Sequence, residues 1–272
     1  MRDPTGTNWL AHFLHGTSTM LCLQGPSMLL YSSKEYEPHQ AFFVSARIFE
    51  ISRALIYTEP TFLATPEWSA AVETYWTQHP TRWTPKEALF DILPQFVELA
   101  MRALSFAIDV QSIPEQGRHG TAASLAQEGL VLESKLFDWY TTFSSWPLIT
   151  SEKNGPDPEL CIALLYYHTI SIYLDGIFSY HAPFTASLAP TSPVLDRAVI
   201  ESHVDSILIL SQELLAQGCA GILLFFPLRV AGARAWDLET RLSILQILSL
   251  ITQRGFNVAQ SFVLDLSSLW GI

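Results

Sequence analysis

Cys161, His168, Ser171 and Asp175 bring a nucleophile, a base, a hydroxyl and a carboxylate into one short stretch of chain. At about 100° per residue they fall on one stripe of a helix, shared with Leu164. The rise of about 1.5 Å per residue puts Cys161 roughly 10 Å from His168, and His168 roughly 10 Å from Asp175. Hydrogen bonds reach only about 3 Å, so these groups cannot pass a proton among themselves. A stripe of this kind can still face a small-molecule pocket. The plainer reading is a satisfied histidine on a helix edge near solvent.

Arg229 and Arg234 follow Pro227 in an otherwise nearly apolar run. A buried arginine needs a partner, and with 26 acids in the chain an internal ion pair is the plain reading; an anionic ligand is the sharper one. Eight tryptophans and nine tyrosines offer apolar surface to a hydrophobic ligand, although aromatics at helical spacing more often form core. Any such pocket is expected to be lined by Tyr167, His168, Asp175 and Arg229. His12 and His15 lie off the apolar face of their helix and are expected to be exposed.

No catalytic residue, metal ligand or cofactor is called for. G-x-S-x-G, G-x-G-x-x-G, P-loop and H-E-x-x-H patterns are absent, as are the aspartate-rich helical motifs of terpene cyclases. The nearest acid pairs, Glu35 with Glu37, Asp157 with Glu159 and Asp237 with Glu239, are two residues apart and do not face each other on a helix. Asp157 and Glu159 read instead as a cap and a first-turn acid.

Charge narrows the partners. The 272 residues carry 15 Lys and Arg against 26 Asp and Glu, a net charge of −11, with the basic residues scattered. Nucleic-acid modules cluster theirs, so direct DNA binding is not expected. Cys22, Cys161 and Cys219 form neither a disulfide framework nor a zinc pattern and fit a reducing compartment. No secretory signal is visible at Met1-Arg2-Asp3-Pro4. Cys161 to Phe178 is interrupted by His168 and Asp175, and Ala220 to Val230 by Pro227 and Arg229, so no membrane span is expected. An intracellular protein, in nucleus or cytoplasm, is the expectation.

Helical periodicity runs through almost every long segment, and no alternating strand pattern survives. Trp9, Leu10, Phe13, Leu14, Thr17 and Leu21 share a face that ends at Gly25-Pro26; Phe42, Phe43, Ala46, Phe49 and Ile56 share another. Thr65-Pro66, Thr84-Pro85 and Asp157-Pro158 are cap-plus-proline starts, with Glu87 completing a capping box. Pro94 is expected to kink or break its helix. A helix from Thr121 should end near Pro147, and Ser151 to Pro156 should be a loop. Ser192-Pro193 should open a helix that Gly218 ends, and Gly255 should separate the last two helical runs. The expected fold is all-α, one domain over residues 1–272 with about nine or ten antiparallel helices.

Three segments together carry a resemblance. The first is Trp9-x-x-His12-x-x-x-Gly16, Gly25-Pro26, Phe43-x-x-x-Arg47-x-x-Glu50 and Phe62-Leu63-Ala64-Thr65-Pro66-Glu67-Trp68. The second is Phe90-Asp91-Ile92-Leu93-Pro94. The third is Leu224-Phe225-Phe226-Pro227-Leu228-Arg229-Val230-Ala231-Gly232, with Arg254-Gly255-Phe256 beyond it. In this order the chain, from about Trp9 to Leu266, resembles the fungal-specific transcription-factor domain, the helical regulatory region of binuclear zinc-cluster activators. The resemblance implies an all-α array, nuclear residence, and regulation through an effector or protein contacts. It supplies no catalytic residues.

In that family an N-terminal six-cysteine zinc cluster reads DNA. This sequence has neither the cluster nor the coiled coil that usually follows it, and the match starts in mid-domain. A truncated N-terminus, a cofactor-like regulator and a domain converted to another use are the three explanations. The expected partners are a zinc-cluster transcription factor or a second copy, and an apolar small-molecule effector. The expected function is transcription-factor-like regulation of a fungal secondary-metabolite pathway. The alternative is a cofactor-independent cyclase, pericyclase or isomerase on the same helical domain, working by shape and a few hydrogen-bond donors.

Overall fold

Cap chemistry starts several of the helices. Asp157 Oδ1 accepts the Glu159 N–H at 3.0 Å, Asp237 Oδ1 that of Thr240 at 2.8 Å, and Thr84 Oγ1 that of Glu87 at 3.4 Å. Each bond satisfies a first-turn donor that has no partner within the helix. The computed structural model describes residues 7–31, 33–143, 156–185 and 191–272. Among these there are eleven α-helices and no strand. In order they are α1 (Thr7–Gln24), α2 (Glu37–Tyr57), α3 (Pro66–Gln78), α4 (Pro85–Asp109), α5 (Glu115–Phe143), α6 (Pro158–Ser179), α7 (Ala182–Thr185), α8 (Arg197–Ala216), α9 (Phe225–Ala233), α10 (Leu238–Gln253) and α11 (Ala259–Trp270).

Tertiary bonds override several local expectations. Thr65 makes no side-chain cap bond. Glu87 does not reach back to close a capping box; its carboxylate is taken by Arg47 of α2. Pro94 does not break α4, which runs through it, although the proline denies Phe90 the N–H its carbonyl would otherwise receive. Pro227 sits in the first turn of α9, where no intrahelical N–H is needed, so it opens that helix. Ser192-Pro193 does not start α8. The chain stays irregular to Asp196 because the Leu195 N–H donates to Asp175 Oδ1 at 2.9 Å. Gly218 and Gly255 take the left-handed conformation, φ 86° and 96°, just past the ends of α8 and α10. Helix α5 is described to Phe143; Pro147 and the 151–155 part of the expected loop lie outside the described residues.

Helix α6 holds the centre, packed against α4, α5, α8 and α9, while α1 lies on α2 and α10 on α11. It is the one helix among the described residues long and apolar enough to cross a membrane, and 67% of its most apolar stretch is buried inside the fold. One apolar core extends from Leu10 to Leu266. Phe43, Phe90, Phe96, Phe178 and Phe225 are fully buried, each stabilising the fold by about 1.5–3 kcal/mol. Tyr166 adds a polar pin. Its hydroxyl pairs with Ser52 Oγ of α2 at 2.8 Å and donates to the Leu223 carbonyl at 3.3 Å. Burial pushes its phenol far up.

Candidate functional site

Two residues expected on a pocket wall, Tyr167 and His168, meet partners from two other helices. Tyr167 stacks on Tyr140 of α5 with ring centroids 4.5 Å apart and 13° between planes, and on Trp139 at 5.7 Å. His168 Nδ1 lies 2.7 Å from His203 Nδ1 of α8. That bond needs one ring to donate and the other to accept, which two neutral imidazoles of opposite tautomer provide. Burial, then the neighbouring His203, pushes His168 down to about 3, and burial lowers His203 as well. The pair is therefore neutral near pH 7.

Tyr167 and His203 open on a cavity of about 430 Å³ between α5, α6 and α8. Ser171 and Glu133 add their polar groups, and Leu136, Phe137, Leu174 and Leu195 supply apolar wall. Burial raises the Glu133 carboxyl. It also raises the Tyr167 phenol, helped by Tyr140, while the Ser171 hydroxyl donates to the Tyr167 carbonyl at 2.9 Å. Apolar walls with a few convergent polar groups of shifted acidity are the usual form of a small-molecule site.

Of the four residues expected on one pocket wall only Tyr167 lines this cavity: His168 is not in its lining, and neither are Asp175 and Arg229. Asp175 is 1% exposed and lines none of these cavities. Its Oδ2 accepts from Arg234 Nη2 at 2.5 Å and from the Ser179 hydroxyl at 3.2 Å, and its Oδ1 accepts the Leu195 N–H. The internal ion pair foreseen for this region thus belongs to Arg234. Arg229 is exposed, because α9 turns it outward from an otherwise buried helix. It stands at a second cavity, of about 320 Å³, with Tyr173, Arg234, Ile56 and Phe226. Cys161 is buried, and burial raises its thiol to about 11, which removes it as a nucleophile. His12 and His15 are exposed, as their face of α1 implies.

A third cavity, of about 550 Å³, lies between α2, α3 and α4. Arg47 and Asp91, two of the residues that carried the family resemblance, line it and belong to an ion-pair network. Arg47 donates to Asp91 Oδ1 at 2.6 Å, to the Glu87 carbonyl at 2.9 Å and to the Glu87 carboxylate. Trp76 and Trp83 also donate their indole N–H to Asp91, at 3.2 and 3.3 Å. Glu50 accepts from Arg53 and from the Thr61 hydroxyl at 2.8 Å, and Trp68 lies between Phe43 and Phe62. The motif is thus a structural network tying α2 to α3 and α4. Sequence reasoning missed His203, Glu133 and Tyr140. His203 sits in the polar run Glu201-Ser202-His203, which locally signals only a solvated helix edge.

Among the described residues no group of three or more His, Cys, Asp or Glu is placed to hold a metal. No curated protein and no solved structure matches the chain. The family model of the fungal specific transcription factor domain matches residues 2–266, which takes in the three helices of the motif network, the central helix and the cavities around it. On that match over nearly its whole length, the chain belongs to the fungal specific transcription factor domain family.

Proposed function

We propose that the chain is an effector-controlled regulatory protein of a fungal metabolic pathway, acting in the nucleus through a zinc-cluster partner, with its effector bound between α5, α6 and α8. Family membership supports the regulatory role. The effector reading is carried by one observation: Tyr167, Ser171, His203 and Glu133 converge from three helices on an apolar cavity of about 430 Å³. That volume falls in the range that encloses a drug-sized molecule, roughly 300–1,000 Å³. The ligand favoured there is uncharged and largely apolar, with a hydroxyl or carbonyl to meet the phenol and the imidazole. An anion would find no Lys or Arg in the lining and would meet the Glu133 carboxyl instead.

Native mass spectrometry of the chain purified from a fungal host tests this reading. The expected spectrum contains a non-covalent adduct of a few hundred daltons. Ser134→Trp, at an exposed position on the cavity rim, abolishes the adduct without unfolding the chain. A bare polypeptide mass from both proteins counts against an effector at this site.

One observation favours a second reading, a cofactor-independent isomerase or cyclase. A neutral His203 backed by His168, beside the Tyr167 hydroxyl, is able to take up and return a proton. Under this reading the bound molecule is converted, and His203→Gln stops conversion while leaving the adduct in place.

A further inference from the structure

We infer that the cavity between α2, α6 and α9 is a separate binding site, for a small apolar carboxylic acid whose carboxylate meets Arg229. The charge pattern of its lining is the first reason. The chain has 26 acidic residues against 15 Lys and Arg, yet no Asp or Glu lines this cavity, while Arg229, Arg234 and His181 do. Leu55, Ile56, Ile172, Ile177 and Phe226 make the remaining wall strongly apolar.

The two arginines play different parts. Arg234 is 6% exposed and its charge is answered from behind by Asp175, which does not line the cavity. Its guanidinium also lies 4.2 Å from the centre of the Tyr180 ring. Arg229 has no acidic partner among the described residues. Its one hydrogen bond there, from Nη1 to the Ile56 carbonyl, is long at 3.4 Å. A guanidinium left free at the mouth of an apolar, acid-free cavity offers the planar fork that pairs with a carboxylate through two parallel bonds.

The end of α2 forms the wall beside it. Thr58, φ 53°, is the left-handed C-cap of α2, its N–H bonded back to the Ala54 carbonyl, and it lines the cavity together with Tyr173. The opposite charge on the ligand has no comparable support, since an ammonium group would meet Arg229 with no acid in the lining to offset it.

Isothermal titration of the full chain with indole-3-acetate, indole-3-ethanol and tryptamine, which share one ring, tests the inference; octanoate and 1-octanol repeat the comparison without the ring. At least one acid is expected to saturate a single site about tenfold more tightly than its alcohol, with tryptamine weakest. Arg229→Met should bring the acid down to the affinity of the alcohol, leaving the alcohol and the melting temperature unchanged. Arg254→Met, which removes the same charge from an exposed position elsewhere, should leave acid binding intact. Equal affinities for acid and alcohol, no saturable binding of either acid, or equal losses in the two arginine variants would overturn the assignment. The adduct predicted for the α5–α6–α8 cavity is unaffected by Arg229→Met, so failure here and failure of the effector reading are told apart.

Discussion

His168 and His203 share one hydrogen bond, and burial keeps both uncharged. In the unfolded chain each titrates near pH 6.5, whereas the folded His168 titrates near 3. Below about pH 6.5 the unfolded state therefore takes up protons that the folded state refuses. The stability these groups contribute is complete above that pH and is lost as pH falls towards 3. Between about pH 6.5 and pH 5 the loss from His168 is on the order of 2 kcal/mol. Urea unfolding near pH 7 and pH 5 should show it, and a His168→Gln, His203→Gln chain should show a distinctly smaller pH difference. Asp175 is the other residue whose effect is decided by burial. Asp175→Asn keeps an acceptor for the Leu195 N–H but leaves Arg234 as an unanswered buried charge, costing about 3–5 kcal/mol. Adding Arg234→Met removes that charge, and the double variant should recover most of the lost denaturation midpoint.

Helix α6 shows at the scale of elements what the linear pattern carries. The start of this helix was legible, because Asp157-Pro158-Glu159 carries its own cap, and so was its apolar content. Its neighbours were not legible. Asp175 holds Leu195 of the segment before α8 on one side and Arg234 just past α9 on the other, so it ties a wall residue of each flanking cavity to one carboxylate. Nothing local in Asp175-Gly176 announces either bond, and the first of them is why Ser192-Pro193 failed as a helix start. The same limit hid the site: Tyr167 and His168 could be named from one helix, but their partners Tyr140 and His203 come from helices whose packing against α6 leaves no one-dimensional trace. Close packing also sets the tolerance of α5. A Cβ at Gly129 would lie 2.7 Å from the Phe178 ring and 2.9 Å from Pro193, whereas at Gly120 it meets nothing within 4 Å. Alanine gains up to about 1 kcal/mol of helix propensity at either position, but at Gly129 overpacking of about 1–3 kcal/mol outweighs it. Differential scanning calorimetry should find Gly129→Ala melting about 2–4 °C lower and Gly120→Ala melting slightly higher.

For the molecule as a whole, an all-helical core and a family match over residues 2–266 place this chain among regulatory domains. The network of Arg47, Glu87 and Asp91 ties α2 to α4 and gives Arg47 and Asp91, two of the residues that carried the resemblance, a structural role. Under the proposed function, regulation depends on what the helices around α6 bind, and control acts through the cavity between α5, α6 and α8. Transcript profiling of three otherwise identical strains, carrying the unsubstituted gene, the Ser134→Trp allele or a deletion, puts that claim to the most direct test. A common block of transcripts should change in the same direction in the Ser134→Trp and deletion strains. Unchanged transcripts in both, with a pathway intermediate accumulating instead, would contradict a regulatory role and point to catalysis in the same cavity.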